Sequence, residues 1–186
     1  MGKSGTAVFF RRKTNKNKRK EVCVMKKLLL SAVFALCLCV SFAAEKIPFT
    51  GLEEANHIAG PAVTEKLLEG KIVLFDYWGL DCPPCRDSMP KLQALWKKYG
   101  PKYLVIIASE SWGSNREQIK AYIKRNGITF CIYQGATYNK FVPRGVPHAA
   151  LFGADGKLVK MDHPGRLYQE VAKLCDALKK AETAEK

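Results

Sequence analysis

From residue 71 onward the chain falls into apolar runs separated by stretches of helical period. The run "KIVLFDYW" at 71–78 is apolar and β-prone, which predicts a buried strand. Across 83–99, Leu92, Leu95, Trp96 and Tyr99 recur at helical spacing. "KYLVIIAS" at 102–109 predicts a second buried strand. Ser114 and Glu117 have the spacing of a capping box, opening a helix that ends near Asn126-Gly127. "ITFCIY" at 128–133 predicts a third strand, and "AALFGADGKLVKM" at 149–161 a hairpin turning at Asp155-Gly156. A last helix carries Leu167, Val171, Leu174 and Leu178 on one stripe. The order βαβαβ, then ββ, then α, predicts the α/β class: a central mixed β-sheet flanked by helices on both faces. There is no internal repeat or low-complexity segment after residue 45.

Upstream the pattern changes. "MKKLLLSAVFALCLCVSFAAEK" places two lysines after Met25, a continuous apolar run over 28–40, then small residues at Ser41, Ala43 and Ala44. That is the order of a secretory signal peptide, with cleavage favoured after Ala43. Its rival is an uncleaved membrane anchor, since 28–44 is borderline in length for spanning. Neither Cys37 nor Cys39 follows a small residue, so lipid attachment is not expected. Residues 1–24 form a basic extension with no apolar period, read either as a disordered tail or as sequence ahead of a true start at Met25. The expected organisation is therefore an extension (1–24), a signal or anchor (25–44) and one globular domain (45–186). Charge follows the same division. Of the net +14, residues 1–44 hold ten Lys/Arg against one acid, leaving 21 against 16 for the rest. A basic pI thus gives the folded part no claim on nucleic acid.

The chemistry lies in "FDYWGLDCPPCRDSMPKL" at 75–92. Cys82 and Cys85 stand where a strand gives way to a helix, with Pro83 suited to the first helical turn. The free N–H groups and dipole of a helix start stabilise a thiolate, lowering a Cys pKa from about 8.5 toward 7 or below. A separation of three puts the second sulfur one turn on, giving a nucleophile and a neighbour that can resolve a mixed disulfide. A closed zinc site would need a second CxxC or a His pair, and neither is present. A purely structural disulfide across so short a loop would remove little chain entropy. No metal and no organic cofactor is expected.

"DYWGLDCPPCRDSMP" resembles the active-site region of the thioredoxin superfamily, and with the export signal is most similar to the TlpA/ResA-like thiol-disulfide oxidoreductases. The resemblance covers about 70–180. It is carried by Trp78 leading to Cys82-Pro83-Pro84-Cys85, by Pro90, which matches the proline kinking the family's helix, and by "RGVPHAALFGADGKLV" at 144–159. It implies a thioredoxin-like fold with Cys82 as attacking thiol and Cys85 as resolving thiol, forming the redox-active disulfide. It also implies a cis-proline at Pro147, a substrate-binding backbone at Val146, and a buried Asp76 that accepts the Cys85 proton. Trp78, Pro83 and Pro84 complete the implied substrate-binding set. Two departures point to a less oxidising couple. Asp81 stands where the family commonly has an aromatic, and no His lies between the cysteines.

The resulting expectation is an extracytoplasmic or periplasmic, monomeric enzyme, soluble or membrane-tethered. It would reduce protein disulfides, with electrons from a membrane donor; cytochrome c maturation and general disulfide repair both fit. One rival is a peroxiredoxin-like peroxide reductase, although Gly79 occupies the place of the Ser or Thr that chemistry needs. The other is a non-catalytic thioredoxin-like module with a static disulfide. His57 and His163 read as surface residues, and His148 as either groove lining or strand start. Trp112 reads as core or rim. Cys131 and Cys175 read as inert buried thiols, with a bridge between them as the alternative.

Overall fold

The computed structural model describes residues 49–184; the extension and the leader lie outside the described residues. The elements run β1 (Phe49–Thr50), a 3-10 turn (Glu54–Asn56), β2 (His57–Ala59), α1 (Glu65–Leu68), β3 (Ile72–Trp78) and α2 (Pro83–Tyr99). They continue with β4 (Leu104–Glu110), α3 (Arg116–Arg125), β5 (Cys131–Gln134), β6 (Thr137–Tyr138), β7 (His148–Phe152), β8 (Leu158–Asp162) and α4 (Pro164–Ala184).

β3 is buried at every position because it is paired on both edges and covered on both faces. It lies parallel to β4 and antiparallel to β7, within a six-stranded sheet ordered β2-β5-β4-β3-β7-β8. β1 and β6 form a separate two-stranded ribbon. The period of two sorts the sheet residues into two cores. Leu74, Trp78, Leu104, Ile106 and Leu151 face one layer, built from the buried sides of α2, α3 and α4. Val73, Phe75, Tyr77, Ile107, Tyr133 and Phe152 face the other, where Leu67 and Leu68 of the one-turn helix α1 pack beside the ribbon. Phe49 of the ribbon stacks on Phe75 at 5.0 Å. Helices therefore cover both faces, as the pattern predicts, but very unequally.

Local chemistry explains the boundaries. α2 begins on Pro83 and continues through Pro90, which has no N–H to donate within the helix. α4 is held at its C-terminal half by Tyr99 donating to Asp176 (3.0 Å) and Tyr103 donating to Glu182 (2.6 Å). The hairpin turns as predicted: Gly156 has φ +79°, and the Asp155 carboxylate accepts the Lys157 N–H at 3.1 Å.

Two boundaries differ from the pattern. α3 is capped by Asn115, which accepts from the N–H groups of Glu117 and Gln118, and not by Ser114. The Ser114 hydroxyl and N–H are instead drawn to the buried Glu110 carboxylate, at 2.7 and 3.1 Å. The third strand starts at Cys131, because Ile128 closes the end of α3 and the Thr129 N–H bonds the Gln93 side chain of α2. β1, β2, α1 and β6 are too short to leave a period in the sequence. Their pairing is tertiary.

β2 approaches β5 so closely that a Cβ on Gly60, at φ +76°, would collide with the Phe130 carbonyl oxygen. Gly60→Ala should therefore destabilise the fold by about 2–4 kcal/mol, from strain plus overpacking. Urea unfolding measures this, and a midpoint equal to wild type would contradict the close approach.

Candidate active site

The sulfurs sit at the C-terminal end of β3, on the turn that feeds α2. Cys82 is the N-cap of α2, and its Sγ accepts the Cys85 N–H at 3.3 Å. A disulfide sulfur is a weak acceptor, but a thiolate at the same point would meet the positive end of the helix. Cys82 and Cys85 are joined as a disulfide, with Cα atoms 5.3 Å apart. Both are buried, Cys82 with 2% exposure. Pro83 and Pro84 stand exposed over the disulfide.

Across from the turn, the Val146–Pro147 peptide is cis. The Val146 carbonyl oxygen lies 3.7 Å from Cys82 Sγ. Both residues are half-buried, leaving an edge of backbone beside the sulfur. Sheet order explains the meeting, since β7 begins at His148 and pairs its neighbour Tyr77 of β3.

Asp76 lies on the α2 side of β3, two residues from Leu74 and from Trp78. It is 1% exposed, its Oδ1 has no protein partner, and burial holds its carboxyl well above the ordinary carboxylate range. The Tyr168 hydroxyl of α4 is near enough to feel its charge. Burial thus disfavours the charged form of Asp76, the only form in which a carboxyl can accept a proton. Trp78 lies wholly inside, its ring 5.8 Å from that of Tyr122, so it supports the turn from beneath and has no surface for a substrate.

Other residues fall away from the pair. His148 starts β7 on the opposite face from Asp76, packed at 5.6 Å against Phe141. His57 is half-buried in β2 and not a surface loop residue; its ring lies 5.1 Å from Tyr133. His163 is exposed. Cys131 and Cys175 are free and buried in different layers, on the two sides of the sheet. The sheet itself separates them, which removes the alternative of a bridge. Burial pushes each thiol up to about 12, which leaves negligible thiolate at neutral pH. Arg86 is drawn over the Tyr122 ring, 5.4 Å from its centroid.

One residue escapes the sequence pattern. Glu110 ends β4, is fully buried, and accepts from the Leu80 N–H (3.4 Å), the Trp112 N–H (3.3 Å) and Ser114. It thereby ties the turn before Cys82 to the segment after β4. The only trace of it in the sequence is an acid closing the apolar run "LVIIASE". Among the described residues no group of three or more His, Cys, Asp or Glu could hold a metal, and no helix is long and apolar enough to cross a membrane.

The chain matches the family model described as thioredoxin-like over residues 70–158. It is 30% identical over 152 residues to the thiol-disulfide oxidoreductase ResA of Bacillus thuringiensis subsp. konkukian, covering 72% of this chain and 86% of that protein. Against ResA of Halalkalibacterium halodurans the identity is 26% over 145 residues, with 74% and 82% covered. The crystal structure of a thiol-disulfide isomerase from Corynebacterium glutamicum superposes with a TM-score of 0.58 at 16% identity, over 73% of this chain and 97% of that one. That likeness shows the fold.

Two outcomes follow from burial. The folded state keeps the Asp76 proton at pH values where the unfolded chain, with a carboxyl pKa of about 3.9, has lost it. Stability from this group is thus greatest below about pH 4 and declines as pH rises toward the raised value. Asp76→Asn should gain over wild type from nothing near pH 4 to a plateau at high pH, worth about 1.4 kcal/mol per unit of elevation. A pH-independent difference in urea unfolding would mean that Asp76 titrates normally. In alkylation of the reduced, folded domain, Cys131 and Cys175 should stay unlabelled until denaturant is added. Rapid labelling of either would contradict their burial.

Proposed function

Since this chain belongs to the thioredoxin-like family and is a thiol-disulfide oxidoreductase, we propose that it reduces disulfides of exported proteins through Cys82 and Cys85. The observation that carries this reading is the joined pair at the start of α2, with the Val146 carbonyl beside Cys82 and a buried carboxyl behind.

In the reduced enzyme the Cys82 thiolate attacks one sulfur of a substrate disulfide. A Cys82–substrate bond forms, and the other substrate sulfur leaves as a thiolate and takes a proton. Cys85 gives its proton to Asp76, and its thiolate attacks Cys82 Sγ. The Cys82–Cys85 bond forms and the second substrate thiol departs. Two electrons pass from the dithiol to the substrate. Val146 and Pro147 hold the substrate backbone during the exchange, with Pro83 and Pro84 forming the opposite rim. Asp76 must be ionised to accept the proton, so the resolving step accelerates as pH rises through its pKa.

The reductive direction rests on weak thiolate stabilisation. One backbone N–H reaches Cys82 Sγ, Asp81 is exposed beside it, and Arg86 is engaged over Tyr122. A less favoured thiolate gives a more reducing couple. The leader at 25–44 supports export, and outside the cytosol the enzyme is recharged by a membrane donor. Cytochrome c maturation is one pathway with substrates of this kind.

In the full chain, Cys85→Ala should retain exported proteins as mixed disulfides released by reductant, while Cys82→Ala retains none. Equilibration with glutathione should place the couple below about −220 mV. No covalent partner on Cys85→Ala would remove protein substrates from the reading. A couple above about −180 mV would make the enzyme an oxidant, and a bond that resists reduction entirely would make it a staple.

A further inference from the structure

The turn before Cys82 is bounded on two sides. In the order β4-β3-β7, the segment after β4 lies on one flank of the C-terminal end of β3, and the segment before β7 lies on the other. The second flank carries Val146 and Pro147. The first carries Trp112. Its ring lies against Gly79, so closely that a Cβ there would sit 2.5 Å from ring carbons. Gly79 in turn accepts the Cys82 N–H at 3.2 Å, so the ring covers the base of the turn that presents the sulfur.

Trp112 is nevertheless 56% exposed. Its place is set by backbone bonds and not by burial of the indole. Its N–H and that of Leu80 reach the same Glu110 oxygen, and the Ser111 N–H donates to the Trp78 carbonyl at 2.8 Å. A single exposed aromatic is ordinary on a surface. One pinned by a buried carboxylate to the loop of a reactive cysteine, with half its ring open, is set to meet what the cysteine meets. The residue directly before Cys82, the exposed Asp81, offers no apolar surface there.

We propose that Trp112 is a specificity-determining residue, binding an apolar or aromatic side chain that flanks the attacked cysteine of the substrate on the side away from Val146-Pro147. This rests on the disulfide-reducing reading above and names its substrate class: disulfides whose cysteine has an apolar neighbour. Covering the open part of the ring is worth about tenfold in affinity.

Two disulfide-bridged peptides, identical except for Phe or Ser beside one cysteine, test this with the full chain. Wild type should favour the Phe peptide about tenfold in kcat/KM, mainly through KM. Trp112→Ala should abolish that preference, and Trp112→Phe should retain most of it. The same preference in Trp112→Ala, or no preference in wild type, overturns the proposal. Turnover of neither peptide by wild type would instead defeat the reductase reading. The contact is then read without turnover, from indole emission as the Phe peptide with its cysteines replaced by Ser is added. A change present in wild type and lost in Trp112→Phe supports the assignment, and no change at saturating peptide overturns it.

Discussion

The hydrogen bond from the Cys85 N–H to Cys82 Sγ joins the reactive atom to the architecture. A helix start leaves its first N–H groups without partners, and here the Cys82 sulfur satisfies one of them. The same bond places the sulfur at the positive end of the helix, with the second cysteine one turn away. For that cap to stand still, the end of β3 must be immobile. Pairing on both edges and packing on both faces provide this.

Around that cap the protein accepts two buried acids, and their contrast is instructive. Asp76 has an unpartnered oxygen, and its burial disfavours the charged form and raises its pKa. Glu110 is surrounded by donors from three segments, at Leu80, Ser114 and Gln134, and its work is to hold backbone. The supply of N–H and O–H groups separates a group suited to exchanging protons from one suited to clamping a loop.

The sheet also partitions thiol chemistry. Four cysteines of the described domain share one compartment of the chain, yet only the pair at the helix start has both a helix field and a route to solvent-facing backbone. Cys131 and Cys175 are kept apart by the strands between them and kept protonated by burial. Redox selectivity thus follows from placement, not from the number of cysteines.

The long elements, the Asp155-Gly156 turn and the paired cysteines were legible in the sequence, and the burial of Asp76 and the cis bond at Pro147 through the family resemblance. Each leaves a local mark: an apolar run, a helical stripe, a Gly with φ > 0, or a short motif at a strand-to-helix junction. Ser114 misled for the same reason, because its spacing to Glu117 imitates a cap while its true partner is brought in by the fold. β1, β2, α1 and β6 left no mark, being stabilised only by strands distant in the chain. The sequence by itself determined what fold forms and which two cysteines stand together at a helix start, since both depend on neighbours a few residues away. Only the tertiary structure decided which side chains border those sulfurs. Glu110 and Trp112 arrive there from the end of β4 and Val146 from the segment before β7, and the order of strands in a sheet is not written in any one of them.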